Sequence, residues 1–194
     1  MPKVLFVNAC VRDDSRTISL AREVLTFLGG EMEEVALYGA GLAPLDADGI
    51  RMRDAALLRK DFSDGSFDLA RQFSCADTVV IAAPYWDLMF PAVLKLYFEA
   101  VTVNGLTFAY SEQGIPTGLC RARRMIYVTT AGGPIVENFG FDYACALARG
   151  FYGIDDVACI RAEGLDVYGA DVDAILLAAK ASVASILADY KTSQ

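Results

Sequence analysis

The chain has 194 residues, 55% of them hydrophobic and 22% charged, with 17 Lys and Arg against 25 Asp and Glu for a net charge of -8. This composition excludes a disordered chain, and the negative field makes nucleic acid and anionic membranes poor partners. Histidine is absent, which excludes Ser-His-Asp and Cys-His nucleophilic machinery and most transition-metal centres.

Residues 3–8 (Lys-Val-Leu-Phe-Val-Asn) predict a buried strand. A polar loop through Arg12, Asp13, Asp14, Ser15 and Arg16 follows, then an amphipathic helix from about 17 to 28, stopped by Gly29-Gly30. A second strand is expected at 33–38, with a charged start suited to a sheet edge. After a Gly/Pro-containing loop over 39–49 comes one amphipathic stretch, roughly 50–74, carrying Leu57, Leu58, Phe62, Phe67, Leu69 and Phe73. The third strand falls at 77–82 and its helix at about 90–102. Residues 106–110 alternate in a short extended piece, and the fourth strand is 124–130. A helix around 141–151, a fifth strand around 155–163 and a closing helix around 171–190 complete the chain.

Alternating strands and helices predict one α/β domain over residues 1–194, a three-layer sandwich with helices on both faces of a five-stranded parallel sheet. The order 2-1-3-4-5 suits it. Cys10, Cys75, Cys120, Cys145 and Cys159 are odd in number, widely spaced and without a CxxC pair, so reduced thiols in a cytoplasmic protein are expected, with neither a zinc site nor a disulfide framework. Asn8 and Arg12 interrupt any apolar leader, and no run of about 20 apolar residues predicts a membrane span.

In such a sheet the loops after strands one, three and four meet at a crevice. The first offers Ser15, Arg16 and Thr17 at a helix start: two hydroxyls, free amides and a guanidinium, which suit either a phosphate or plain capping by Ser15 or Thr17. Asp13 and Asp14 must point away from any anion bound there. The second, Pro84-Tyr85-Trp86-Asp87-Leu88, crowds aromatic side chains and an acid where a structural turn would use Gly, Asn or Ser. A flat, polarizable ligand such as a flavin suits it, as does an aromatic turn that only packs; Asp87 suits a ring edge, or an N-cap or turn residue before the next helix. The third holds Thr130, Ala131, Gly132 and Gly133, whose glycines permit positive φ and close backbone approach to a ligand, or simply a tight turn.

These residues resemble the bacterial FMN-dependent NADH:quinone oxidoreductases and azoreductases of the flavodoxin-like NAD(P)H dehydrogenase group, over nearly the whole chain. The likeness lies in the first strand with Ser15-Arg16-Thr17, residues 82–88, Leu94-Lys95-Leu96-Tyr97-Phe98, Gly105-Leu106-Thr107-Phe108-Ala109-Tyr110, residues 129–134 and Glu163-Gly164. It implies a flavodoxin-like fold and bound FMN, with the phosphate on Ser15, Arg16 and Thr17. The ring would lie on Pro84, Tyr85, Trp86, Asp87 and Leu88 and on Thr130, Ala131, Gly132 and Gly133. Tyr85, Trp86 and Phe108 would wall the substrate slot. It also implies ping-pong transfer from NADH or NADPH to a quinone, azo or nitro compound, in a homodimer. Asp87 stands where the family's Pro-Met-Tyr-Asn-Phe has a neutral amide, and Ala131 where its Ser-Arg-Gly-Gly has a base.

Two rival readings follow from the same residues. Cys10 to Thr17 matches the C-x5-R-[ST] loop of low-molecular-weight phosphatases, with Cys10 as nucleophile and Arg16 holding the phosphate. Against it stand the two acids within the loop, a missing loop glycine and the lack of an Asp-Pro general acid. A non-enzymatic flavin carrier is the other, against which stand the insertion at 39–75 and the arm at 104–122.

Overall fold

The computed structural model describes residues 2–188. The main sheet is built from β1 (Lys3–Asn8), β2 (Glu31–Ala36), β3 (Thr78–Ala82), β6 (Arg124–Thr130) and β7 (Asp156–Ala162), all parallel, in the order β2-β1-β3-β6-β7. Counted within the sheet alone, that is the expected 2-1-3-4-5. The remaining strands, β4 (Phe108–Tyr110) and β5 (Pro116–Gly118), form a separate antiparallel hairpin.

Side-chain alternation along the central strands divides the core in two. Leu5, Val7, Val79, Ile81, Met125 and Tyr127 face one layer, made by α3 (Asp68–Cys75), α4 (Ala92–Val101) and α5 (Phe139–Leu147). Val4, Phe6, Val80, Ile126, Val128 and Ile160 face the other, made by α1 (Arg16–Leu28) and α6 (Val172–Ile186). β3 is buried at every position, as a strand covered on both faces must be.

The second strand lies two residues earlier than expected. At the sheet edge β2 buries only Val35, so its acidic start is tolerated, and buried Leu37 enters a 3-10 turn instead of extending the strand. The long amphipathic stretch is broken as well. α2 (Ala47–Arg59) starts within the expected loop, where the Asp46 carboxylate accepts the Gly49 N–H at 2.8 Å, and it ends at Lys60 with φ 54°. Asp61 and Asp64 then fold back onto Ser63 and Ser66, competing with a continuous helix, and Leu58 is left 86% exposed. The helix expected to 151 widens after Leu147 into a π turn over Ala148–Tyr152. Of the closing helix expected to 190, residues 189 and 190 lie outside the described residues, as do 1 and 191–194 of the expected domain.

Candidate functional site

β1 ends at Asn8, β3 at Ala82, β6 at Thr130 and β7 at Ala162, and main-chain bonds carry the sheet a step further. Ala9 N–H donates to the Ala82 carbonyl at 2.9 Å, Ala83 to Val128 at 3.0 Å and Ala131 to Ala162 at 2.9 Å. Three loops are thereby fixed side by side.

In the first loop Ser15 is the N-cap of α1, its oxygen accepting the Ile18 N–H at 3.4 Å. The first helical bond runs from Ser19 to Ser15, so the Arg16 and Thr17 amides precede the ladder at the positive end of the helix. Capping and anion binding are therefore compatible here. Thr17 is buried, and its hydroxyl shares a 2.6 Å hydrogen bond with that of Thr130. The Arg16 guanidinium donates to the Leu165 carbonyl at 3.1 Å and the Asp166 carboxylate at 2.9 Å.

The second loop is a tight turn. Trp86 N–H donates to the Met89 carbonyl at 2.9 Å and Met89 N–H to Trp86 at 2.8 Å, with Asp87 (φ 51°) and Leu88 (φ 68°) between them. Asp87 is thus a turn residue and not a cap: α4 begins after Pro91 without a side-chain cap. Tyr85 N–H donates to the Thr130 carbonyl at 3.0 Å, and its hydroxyl to the Glu137 carbonyl at 2.7 Å.

The third loop is stitched to the loop after β7. Leu165 N–H donates to the Ala131 carbonyl at 3.2 Å, Asp166 to Gly132 at 2.8 Å and Gly164 to Gly133 at 3.1 Å. Neither Gly132 nor Gly133 has a positive φ. Gly132 serves another purpose, since a methyl group there would overlap the Asp166 carboxylate.

Together these loops enclose a cavity of about 470 Å³ lined by Ser15, Arg16, Thr17, Pro84, Tyr85, Trp86, Thr130, Ala131 and Gly132, joined by Cys10, Val11, Arg12, Asp14 and Asp166. That size suits a small organic ligand. Asp87, Leu88 and Gly133 do not line it. Neither does Phe108, which is buried in the hairpin with its ring centre 5.0 Å from that of Phe151. Asp14 does face the cavity, whereas it was expected to turn away; Asp13 does not line it. Arg12 and Asp14 belong to a polar loop the sequence marks plainly. Asp166 carries no comparable local signal, being 150 residues from the arginine it holds.

Burial pushes the Cys10 thiol up, partly offset by the Ser15 and Thr17 hydroxyls, and its Sγ lies 3.7 Å from the Ala82 carbonyl. A thiol so held stays protonated near neutral pH, the reverse of an activated phosphatase nucleophile. Among the described residues no group of three or more Cys, Asp or Glu is placed to hold a metal, and no helix is long and apolar enough to cross a membrane.

The family model for the flavodoxin-like fold matches residues 2–187. An FMN-dependent NADH:quinone oxidoreductase 2 of Clostridium acetobutylicum is 33% identical, the match covering 91% of this chain and 93% of that protein. An FMN-dependent NADH:quinone oxidoreductase of Coprothermobacter proteolyticus is 32% identical over 89% and 92% of the two chains. Among solved structures, the azoreductase of Bacillus anthracis superposes with a TM-score of 0.82 at 25% identity, covering 96% of this chain and 98% of that one.

Proposed function

The chain belongs to the flavodoxin-like family that includes the FMN-dependent NADH:quinone oxidoreductases, and from that premise we propose that it is an FMN enzyme carrying electrons from NADH or NADPH to quinones. Azo and nitro compounds are further acceptors in this reading, each entering after the oxidised nicotinamide has left, in a ping-pong cycle. The observation that carries it is the convergence of three loops and a helix start on one cavity at the carboxyl edge of the sheet.

The residues present fit the cofactor. Arg12 and Arg16, the hydroxyls of Ser15 and Thr17 and the leading amides of α1 would hold the phosphate. Pro84, Tyr85, Trp86, Thr130, Ala131 and Gly132 would receive the ring, with Asp87 and Leu88 setting the turn that presents Trp86 and Gly133 continuing the third loop. Bound there, FMN supplies the two-electron chemistry that the side chains of this chain lack. Tyr85 and Trp86 would wall the slot in which donor and acceptor alternate. The Thr17–Thr130 hydrogen bond and the Tyr85–Thr130 bond fix all three loops relative to one another, so the site is preorganised.

We also propose a cytoplasmic homodimer. Trp86 and Leu88 on the second loop, Val136 on the loop before α5 and Phe139 at the start of α5 are exposed apolar side chains on segments tied together by the Tyr85 hydroxyl, a surface suited to burial by a second copy. The five cysteines are free thiols, which suits a reducing compartment. The deciding experiment is an anaerobic absorption spectrum of protein incubated with FMN and desalted. Retained flavin bands that bleach with NADH or NADPH and return with a quinone support the proposal. Protein that never retains FMN refutes it.

A further inference from the structure

We propose that Asp166 is a positioning residue for anion binding: it holds the Arg16 guanidinium over the cavity, so that the phosphate end of the ligand meets a preset cation. This rests on the FMN reading above and adds to it a residue from the loop after β7.

An arginine side chain is long, and an unrestrained one must be ordered when it closes on a phosphate. Here that ordering is already done. Two of the five guanidinium N–H donors are engaged, one on the Leu165 carbonyl at 3.1 Å and one on the Asp166 carboxylate at 2.9 Å. Asp166 is itself anchored through its N–H to the Gly132 carbonyl at 2.8 Å, within the three-bond stitch between the loops after β6 and β7. Its carboxylate sits over the Cα of Gly132, in space that any side chain at 132 would claim. Arg16, Gly132 and Asp166 thus form one unit that ties the first loop to the third.

The opposite effect, in which Asp166 competes with the phosphate for Arg16, is the weaker one. The Asp166 side chain is 66% exposed and its field is screened by water and salt, whereas the directional restraint on Arg16 is not.

FMN and riboflavin, which lacks the phosphate, are titrated calorimetrically against the full-length protein and the variants Asp166→Ala, Asp166→Asn and Gly132→Ala. Asp166→Ala is expected to weaken FMN about three- to tenfold, the cost of ordering one freed long side chain, and to leave riboflavin unchanged. Asp166→Asn keeps an acceptor for Arg16 and should stay within about twofold of the parent. Gly132→Ala displaces the carboxylate and also adds a methyl group beside the ring, so it should weaken riboflavin as well, but it should lower the preference for FMN over riboflavin as far as Asp166→Ala does, the double variant lowering that preference no further. The exposed ion pair adds little to stability, so all variants should melt near the parent temperature. Tighter FMN binding in both Asp166 variants would overturn the proposal in favour of competition. Equal losses for FMN and riboflavin in Asp166→Ala would overturn it in favour of a merely structural role. A parent protein that binds neither flavin overturns the FMN reading, and this inference with it. Normal parent binding with an unchanged Asp166→Ala overturns this inference alone.

Discussion

Cys120 and Cys159 lie partly buried against the apolar core, and desolvation pushes both thiols up to about 12. A thiol that keeps its proton in the folded state but loses it near pH 9 when unfolded contributes stability fully below pH 9. That contribution is lost as pH rises toward about 12. The melting temperature should therefore fall progressively between about pH 9 and 12, and Cys120→Ala with Cys159→Ala should flatten that slope. The Thr17–Thr130 pair gives a second test at this scale. Thr17→Val strands the buried Thr130 hydroxyl and should cost about 1–2 kcal/mol in urea unfolding, while the double change to Val should recover most of it. Residue identities in the first loop could be read from the sequence, because Ser, Arg and Thr at a helix start can be weighed locally. The partner of Arg16 could not, because no local pattern links position 16 to position 166.

The turn at 86–89 and the hairpin arm carry the element-scale tests. Leu88 holds a positive φ that a side chain with a Cβ adopts at a cost, and it is half exposed. Leu88→Gly should therefore raise the stability of the separated protomer by about 1 kcal/mol, read as a shift in the urea midpoint at high dilution. Gly118 lies against the Tyr152 and Gly153 backbone, so closely that a methyl group would overlap it. Gly118→Ala should destabilise by about 3 kcal/mol by levering the β4–β5 hairpin off the turn at 148–152. The sequence announced the segment from Pro84 to Pro91 as a loop with unusual content. It could not announce the left-handed pair inside, since Asp-Leu lacks the Asn-Gly or Asp-Gly signature of such turns. The apolar period over 50–74 likewise hid a break, because side-chain bonds from Asp61 and Asp64 redirect the backbone without altering the hydrophobic pattern.

At the scale of the whole molecule, strand number, order and the two-sided core followed from the alternation of β-branched runs with amphipathic stretches. These are global regularities that single loops do not disturb. The cavity is assembled from the loops after four of the five sheet strands, so a ligand filling it should stabilise the entire fold. FMN at about one hundred times its dissociation constant should add about 2.7 kcal/mol, raising the melting temperature of a chain this size by roughly 5–10 °C. Differential scanning fluorimetry with and without FMN checks this. The clasp between Arg16 and Asp166 also bears on the order of events during synthesis. Residues 10–17 are made well before position 166, whose carboxylate completes the clasp beside the cavity. A nascent chain therefore lacks the finished site until position 166 has emerged, and a ligand that needs the clasp is captured after that point and not threaded into the earlier loops as they appear.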